Sequence, residues 1–172
     1  MSFYELIEGR ESIRNFDPTR PVPNEVLLRI LNAGRLAPSA CNLQPWSFLL
    51  VTSPEMLDKV RPCYRGAWFH DAPHILAVKG SRKAAWNRRW DGYNSLETDL
   101  TIAMDHMILA AESEGVGTCW IAAFDPKILY PALGLKEGEE IFAITPLGYP
   151  RHDFIKAGRK SRKPLGEVAR FI

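Results

Sequence analysis

The sequence lacks long apolar runs, and neither sign of charge dominates it. Its 172 residues contain 22 Lys and Arg against 20 Asp and Glu, a net charge of +2. No stretch approaches the ~20 apolar residues that cross a bilayer. A net charge this small provides no broad positive surface for nucleic acid or for an anionic membrane. We therefore expect no nucleic-acid or membrane partner, and any anion site must be local.

Cysteine is scarce, and the spacing of metal-ligating residue types is unsuitable for a metal site. Cys41, Cys63 and Cys119 are odd in number and widely separated, which argues against a disulfide framework and against paired zinc ligands. The four histidines also form no set of metal ligands with paired cysteines. The sequence predicts no metal, and the free cysteines favour a reducing cytoplasmic environment.

Glycine-rich phosphate-binding motifs are also missing. Gly115 and Gly117 open a predicted strand, whereas the dinucleotide fingerprint and the P-loop both need their glycines between a strand and a helix. A Rossmann-type nucleotide site is therefore excluded.

Hydrophobic periodicity predicts one domain, residues 1–172, in which strands and helices alternate. The pattern favours helices that end near Gly9, that run from Pro23 to Leu36, and that run from Asn94 to Gly115, the last being long and central. Short helices are predicted after Ser53 and over residues 125–129. The predicted strands are residues 47–51, 74–79, 117–124 and 139–150. The remaining segment, 151–172, contains seven Lys or Arg residues.

The stretch "GRESIRNF", residues 9–16, spaces two arginines and a hydroxyl at every second position. In an extended segment Arg10, Ser12 and Arg14 share one face. Two guanidinium groups and a hydroxyl match the charge and the acceptors of a phosphate. A solvated surface is the competing interpretation, because surface arginines are common.

The loop "PSACNLQPW", residues 38–46, is the second candidate site. The Asn42 and Gln44 amides can donate and accept hydrogen bonds together, which suits the edge of a planar heterocycle. A proline-bounded turn with Trp46 in the core is equally compatible with the sequence. Cys41 lies in the loop, but no neighbouring residue supplies the base that would activate it as a nucleophile.

Two further clusters combine cations with other groups. Lys160 and Arg162 flank Ser161, which repeats the basic, hydroxyl, basic order near the C-terminus; the alternative is a solvated basic tail. Trp86, Arg89 and Trp90 mix aromatic rings with cations. They could stack a ring of a bound ligand, or form an amphipathic lid or interface.

Taken in order, "GRESIRNF", "LAPSACNLQPWSF", "EGVGTCWIAAF", "PLGYP" and "KSRKP" resemble the FMN-dependent nitroreductase family nearly end to end. The resemblance implies an α+β fold with a mixed, mainly antiparallel sheet, surrounded by helices around a long central helix. It also implies a homodimer with FMN at the interface. The C-terminal tail, residues 151–172, is expected to embrace the partner subunit.

The resemblance assigns expected roles to the candidate residues. The FMN phosphate would meet Arg10, Ser12, Arg14, Lys160 and Arg162, with Arg14 alternatively at the pyrimidine edge, which Arg65 would also face. The loop residues Pro38, Ser39, Ala40, Asn42 and Gln44 would pack on the isoalloxazine ring, partly from the partner subunit. The strand end Ile121, Ala122 and Ala123 would pass near the reactive edge of the flavin. We expect Trp86, Arg89 and Trp90 to form a small lid at the substrate.

The expected activity is hydride transfer from NADH or NADPH to flavin N5, followed by reduction of a small acceptor such as a nitroaromatic or a quinone. Both substrates use one flavin face, which implies ping-pong kinetics, and no protein side chain acts as a catalyst. Relatives that perform reductive dehalogenation or other flavin chemistry offer a second possibility. A non-catalytic FMN carrier or redox sensor is the third.

Overall fold

The computed structural model describes residues 1–158 and 160–172. It contains seven α-helices and four strands within those residues, in the order α1 (Phe3–Gly9), α2 (Asn24–Arg35), β1 (Trp46–Val51), α3 (Pro54–Val60), α4 (Ala67–His70), β2 (His74–Ser81), α5 (Leu96–Ser113), β3 (Gly117–Thr118), α6 (Pro126–Ala132), β4 (Glu139–Gly148) and α7 (Leu165–Val168). Most predicted elements are confirmed to within about two residues. No helix in the part of the chain described is long and apolar enough to cross a bilayer.

The four strands form one sheet in the order β1-β2-β4-β3, and every neighbouring pair is antiparallel. The one parallel pairing among the described residues is a bridge between Ser12 and Thr118 at the β3 edge. A bulge interrupts the β2–β4 register after Val78. It places Phe142 and Ala143 toward the same face of the sheet, because a bulge sets two residues opposite one.

Helices cover both faces of the sheet. Leu76 and Val78 of β2 pack with α2 and α5 in one core cluster, whereas Ile75 and Ala77 pack with α3, α4 and α6 in another. This alternation follows the two-residue period of a strand. Because both faces are covered, β2 reads as a continuous apolar run. On one of these faces helix α5 contacts β2, β3 and β4.

Strand β3 is much shorter than the predicted strand over residues 117–124. Only Gly117 and Thr118 belong to it, followed by an isolated bridge from Ile121 to Ile144. The register places Cys119 opposite Pro146, which has no N–H to donate. The Cys119 carbonyl therefore receives no hydrogen bond from the residue opposite it, and the Cys119 N–H donates to the Thr145 hydroxyl at 3.1 Å. A proline on the neighbouring strand, which no local pattern in 117–124 reveals, ends the ladder.

His74 is a buried polar residue at the start of β2. Its Nε2 accepts a hydrogen bond from the Val22 N–H at 3.1 Å, and its Nδ1 has no partner among the described residues. Burial lowers the pKa of His74 below its ordinary value of 6.5. The side chain therefore stays neutral in the folded protein at pH values where it is charged in the unfolded chain.

We expect His74 to make the free energy of unfolding fall as the pH drops below about 6.5. The unfolded chain binds a proton at His74 before the folded protein does, so acid favours unfolding until the pH reaches the lowered folded pKa. In His74→Gln this component is absent, and urea unfolding between pH 5 and pH 8 measures the difference. The exposed control His152→Gln should keep the wild-type pH dependence; an identical profile for both variants contradicts the prediction.

Candidate functional site

The extended segment that follows α1 lies against the edge strand β3. The Ile13 N–H donates to the Thr118 carbonyl at 2.8 Å, and Ile13 is buried. Side chains alternate along an extended segment, so Ser12 and Arg14 point away from the face that Ile13 buries. Ser12 is half-buried, and the Arg14 guanidinium lies 5.8 Å from the centroid of the Trp68 ring. The segment is thus held at a defined place on the sheet edge.

Three of the predicted phosphate-binding cations lie close together. Lys160 Nζ donates to the Ile7 carbonyl near the end of α1, beside Arg10. Burial lowers the pKa of Lys160, and the positive charges of Arg10 and Arg162 lower it further. Within residues 1–158 and 160–172, no carboxylate forms an ion pair with any of these three cations. The tertiary structure therefore brings together, where the two ends of the chain meet, three cations that form no ion pair among the described residues, although Glu112 and Glu11 lie near Lys160.

The C-terminal arm, residues 151–158 and 160–172, begins by crossing the extended segment. The Ala157 N–H donates to Glu11 Oε1 at 2.9 Å, and Lys156 Nζ donates to the Gly9 carbonyl at 3.1 Å and also bonds Glu112. An open groove of about 460 Å³ runs between the arm and the segment, and Ser12 and Arg14 line it. The arm thereby forms one wall of a groove whose floor is polar.

The loop between α2 and β1 adopts an unusual backbone. Cys41, Asn42 and Gln44 have φ angles of 50°, 54° and 49°, in the left-handed region that non-glycine residues seldom occupy. Asn42 tolerates this conformation best, and clusters of such residues occur where the surroundings over-determine the backbone. The Ser39 hydroxyl accepts the Gln44 N–H at 2.9 Å and closes the loop on itself.

A buried acid on α5 anchors this loop. Asp99 is only 2% exposed, and its Oδ1 accepts the Ala40 N–H at 3.0 Å. Its Oδ2 accepts from the Ser95 hydroxyl at 2.7 Å. Asp99 is not among the residues predicted from the sequence. One signal in the sequence could have revealed it: Asp99 falls among the apolar, core-facing positions of α5. A carboxylate buried there needs hydrogen-bond partners, which suggests a structural role.

The predicted lid residues divide between two environments. Trp86 lines a small cavity of about 240 Å³ together with Pro38, Ser39 and Ala40 of the loop. Arg89 and Trp90 lie instead at the tip of a hairpin that an Asn87–Asn94 bridge closes, and Trp90 is 92% exposed. The structure thus brings Trp86 to the loop and leaves the tip residues in solvent.

The strand end after Ile121 is open to solvent. Ala122 and Ala123 are exposed, and Ala123 shares a pocket of about 530 Å³ with Arg65. Cys63 also borders that pocket, and burial together with the charge of Asp125 raises its pKa to about 11. The thiol is therefore protonated at neutral pH, which makes it unsuitable as a nucleophile.

Within one chain the loop and the cation cluster lie at opposite ends of α5. The loop is tied to Asp99 in the first turn, whereas Gly9 and Lys156 meet Glu112, thirteen residues further along the helix. At 1.5 Å of rise per residue, these two points are about 20 Å apart. The structure does not bring the two predicted halves of the site together in a single chain.

Comparison with known proteins decides the family. The model of the nitroreductase family matches residues 7–63 and 60–149, which is most of the chain. The chain belongs to the nitroreductase family. This is a family of oxidoreductase enzymes, and membership confirms the resemblance seen in the motifs.

Individual relatives agree with the family assignment. A protein of Archaeoglobus fulgidus, provisionally named an NADH dehydrogenase/NAD(P)H nitroreductase, is 32% identical over 160 residues, which are 89% of each chain. Iodotyrosine deiodinase 1 of Rattus norvegicus is 28% identical and covers 96% of this chain and 68% of its own length.

Solved structures of family members share the fold. A nitroreductase family protein of Clostridium difficile 630 superposes with a TM-score of 0.90 at 30% identity and covers 99% of this chain and 98% of its own. A protein of Desulfovibrio desulfuricans, provisionally named a nitroreductase and crystallised in complex with FMN, gives a TM-score of 0.81 at 29% identity, with 96% and 94% covered. These neighbours confirm the predicted α+β fold of a mainly antiparallel sheet surrounded by helices.

We expect Asp99→Ala to loosen the loop at residues 38–44 and to destabilise the protein. The substitution leaves the Ala40 N–H and the Ser95 hydroxyl without their acceptor, which costs about 1–3 kcal/mol for each buried group left unpaired. Urea unfolding measures the loss, and amide exchange at Ala40 reports the loop directly. Asp105→Ala, at an exposed position of the same helix, should change neither quantity; equal effects of the two variants contradict the anchoring role.

Proposed function

We propose that this chain is an FMN-dependent oxidoreductase that transfers hydride from NAD(P)H to a small acceptor such as a nitroaromatic or a quinone. The observation that carries the proposal is the meeting of Arg10 with Lys160 and Arg162, cations from opposite ends of the chain without a carboxylate partner among the described residues. Like charges repel, so an anion that they share stabilises their arrangement.

The side chains around this cluster fit a phosphate monoester. Two guanidinium groups and an ammonium supply charge-assisted donors, and the Ser12 hydroxyl lies half-buried on the outward face of the same segment. Arg14 lies further along that segment, beside the Trp68 ring. We propose that Arg10, Ser12, Lys160 and Arg162 hold the FMN phosphate, and that Arg14 faces the ribityl chain or the pyrimidine edge.

The loop and the strand end would orient the flavin ring. Asn42 and Gln44 offer amide groups for the heterocycle, and Pro38, Ser39 and Ala40 offer a small surface on which it can pack. Ile121, Ala122 and Ala123 offer backbone groups near the reactive edge, with Arg65 beside the same pocket. When bound, FMN supplies the hydride chemistry at N5. The part of the protein is to bind, to orient and to limit access, with Trp86, Arg89 and Trp90 proposed as the lid.

We propose that the complete site needs two chains. The loop and the cation cluster lie about 20 Å apart along α5, so a homodimer in which each chain lends its loop to the partner would bring the halves together. The chain also exposes large apolar side chains on α1, on α2 and at its C-cap, and on the C-terminal arm: Phe3, Tyr4, Leu28, Leu36, Leu165, Val168, Phe171 and Ile172. Exposed apolar surface of this kind marks contact with another chain, which supports an arm that embraces the partner.

Reductive dehalogenation is the second candidate, and the similarity to iodotyrosine deiodinase 1 over 96% of this chain favours it. Both candidate reactions would use the proposed flavin site, and they differ in the acceptor. Anaerobic turnover with a halogenated phenol, compared with a nitroaromatic and a quinone, separates them: halide release identifies the dehalogenase, and acceptor reduction without halide release identifies the nitroreductase.

We expect Arg10→Ala combined with Arg162→Ala to purify without FMN. Each arginine contributes charge-assisted hydrogen bonds of about 1.5–3 kcal/mol, so losing both raises the dissociation constant about 100-fold or more. Flavin absorbance per chain after dialysis is the measurement. Lys127→Ala combined with Lys136→Ala removes the same charge from exposed positions elsewhere and should leave the protein yellow. Stoichiometric FMN in the arginine variant contradicts the phosphate site.

A mixed dimer tests whether the site is shared between chains. One subunit carries Arg10→Ala and Arg162→Ala, and the other, with a different affinity tag, carries Asn42→Ala and Gln44→Ala. If the loop of one chain completes the site of its partner, one site of the mixed dimer contains none of the four substitutions and the other contains all of them. We therefore expect the mixed dimer to hold about half of the wild-type FMN content. Sites contained within single chains predict that the mixed dimer binds no more FMN than its parents.

A further inference from the structure

The C-terminal arm supplies groups that α1 lacks. Helix α1 has no basic residue in its last turn, and the final carbonyls of any helix have no partner within the helix. Lys156 donates to the Gly9 carbonyl at 3.1 Å, and Lys160 donates to the Ile7 carbonyl. Cations near a helix C-terminus are favourable for the helix dipole. The end of α1 is therefore a docking point for the arm.

Two carboxylates complete this docking point. Glu11 Oε1 accepts the Ala157 backbone N–H at 2.9 Å. Glu112 receives Lys156, and its side chain is only 10% exposed. Both acids lie beside the cation cluster, yet neither forms an ion pair with Arg10 or Arg162 within the described part of the chain. Their hydrogen bonds are directed instead at the stretch of arm that precedes Lys160.

These bonds oppose a repulsion. Burial and the charges of Arg10 and Arg162 lower the pKa of Lys160, whereas the charges of Glu112 and Glu11 raise it, so the two acids also offset part of the cost of bringing the ammonium to this place. An anchored arm carries Lys160 and Arg162 to Arg10 before any anion arrives. A free arm would have to be ordered when the anion binds, and the entropy of ordering would weaken binding.

We propose that Glu11 and Glu112 are positioning residues that hold the C-terminal arm so that Lys160 and Arg162 face Arg10, and that they thereby determine how strongly the site prefers FMN over riboflavin. The inference rests on the proposed FMN phosphate site. Riboflavin is the matched probe because it has the same ring and ribityl chain and lacks only the phosphate.

The sign of the effect separates positioning from simple electrostatics. A carboxylate near a phosphate repels it, so deleting Glu11 should tighten FMN binding if charge alone matters. If Glu11 positions the arm, its deletion should weaken FMN binding, although a negative charge has been removed. The two expectations have opposite directions.

The experiment compares FMN and riboflavin dissociation constants, measured by quenching of flavin fluorescence, for Glu11→Ala, Glu112→Ala and the wild type. We expect FMN to bind about tenfold more weakly to each variant, the effect of losing one hydrogen bond to a charged group, with riboflavin binding unchanged. Glu11→Gln keeps an acceptor for the Ala157 N–H and should recover most of the FMN affinity. Unchanged riboflavin binding also shows that the variants are folded.

Glu8→Ala is the matched control, because it removes a carboxylate from α1 that forms no hydrogen bond with the described part of the arm. It should bind FMN at least as tightly as the wild type. FMN binding by Glu11→Ala that equals or exceeds the wild-type affinity overturns the positioning role. If Arg10→Ala with Arg162→Ala keeps the preference for FMN, the phosphate site itself fails; if that variant loses the preference and Glu11→Ala keeps it, only the positioning role fails.

Discussion

The pairing of residues 12 and 13 with the edge strand β3 is the constraint on which the candidate site depends. Ile13 fills the core on one side of the extended segment, so the alternating side chains on the other side face outward. The approach is close: a Cβ at Gly117 would lie 2.9 Å from the Cβ of Ile13. Glycine at this position allows the segment to lie against the strand, and the position of Ser12 and its neighbours follows from that contact.

The distribution of charge distinguishes this edge from the remaining surface. Elsewhere, Arg29 pairs with Glu114 at 2.7 Å, Lys79 with Glu139 at 2.6 Å, and Arg82 with both Glu97 and Glu140. Around Arg10, the nearby acids bind the C-terminal arm instead and leave the cations available. A protein of net charge +2 can thus carry a local concentration of positive charge, which is the basis of the proposed anion site.

Helix α5 organises both halves of the site through two acids on a largely apolar helix. Asp99 in its first turn ties down the loop at residues 38–44, and Glu112 in its last turn receives the arm through Lys156. A helix is a rigid spacer, so these ties fix the loop and the arm at a constant separation. That separation is the physical reason for proposing a site shared between two chains, with the exposed apolar surfaces of α1 and the arm as the areas that a partner would cover.

Periodic features were predictable from the sequence, and features that join distant residues were not. The apolar spacing in α5 and the continuous apolar run in β2 predicted these elements, because burial of one helix face imposes a period and burial of both strand faces gives an unbroken apolar run, and both patterns can be read locally. The outward face shared by Ser12 and Arg14 followed from the same rule. The family was also predictable, since its five motifs lie in order along the chain.

The early end of β3 was not predictable from its own sequence, because it depends on Pro146 of another strand. The anchoring of the loop at Ala40 depends on Asp99 of a distant helix, and the proposed roles of Glu11 and Glu112 depend on an arm far away in sequence. The local pattern determined the secondary-structure elements and the chemical groups that they offer. Tertiary contacts alone decided which of these groups come together, because the contacts join residues that are far apart in the sequence.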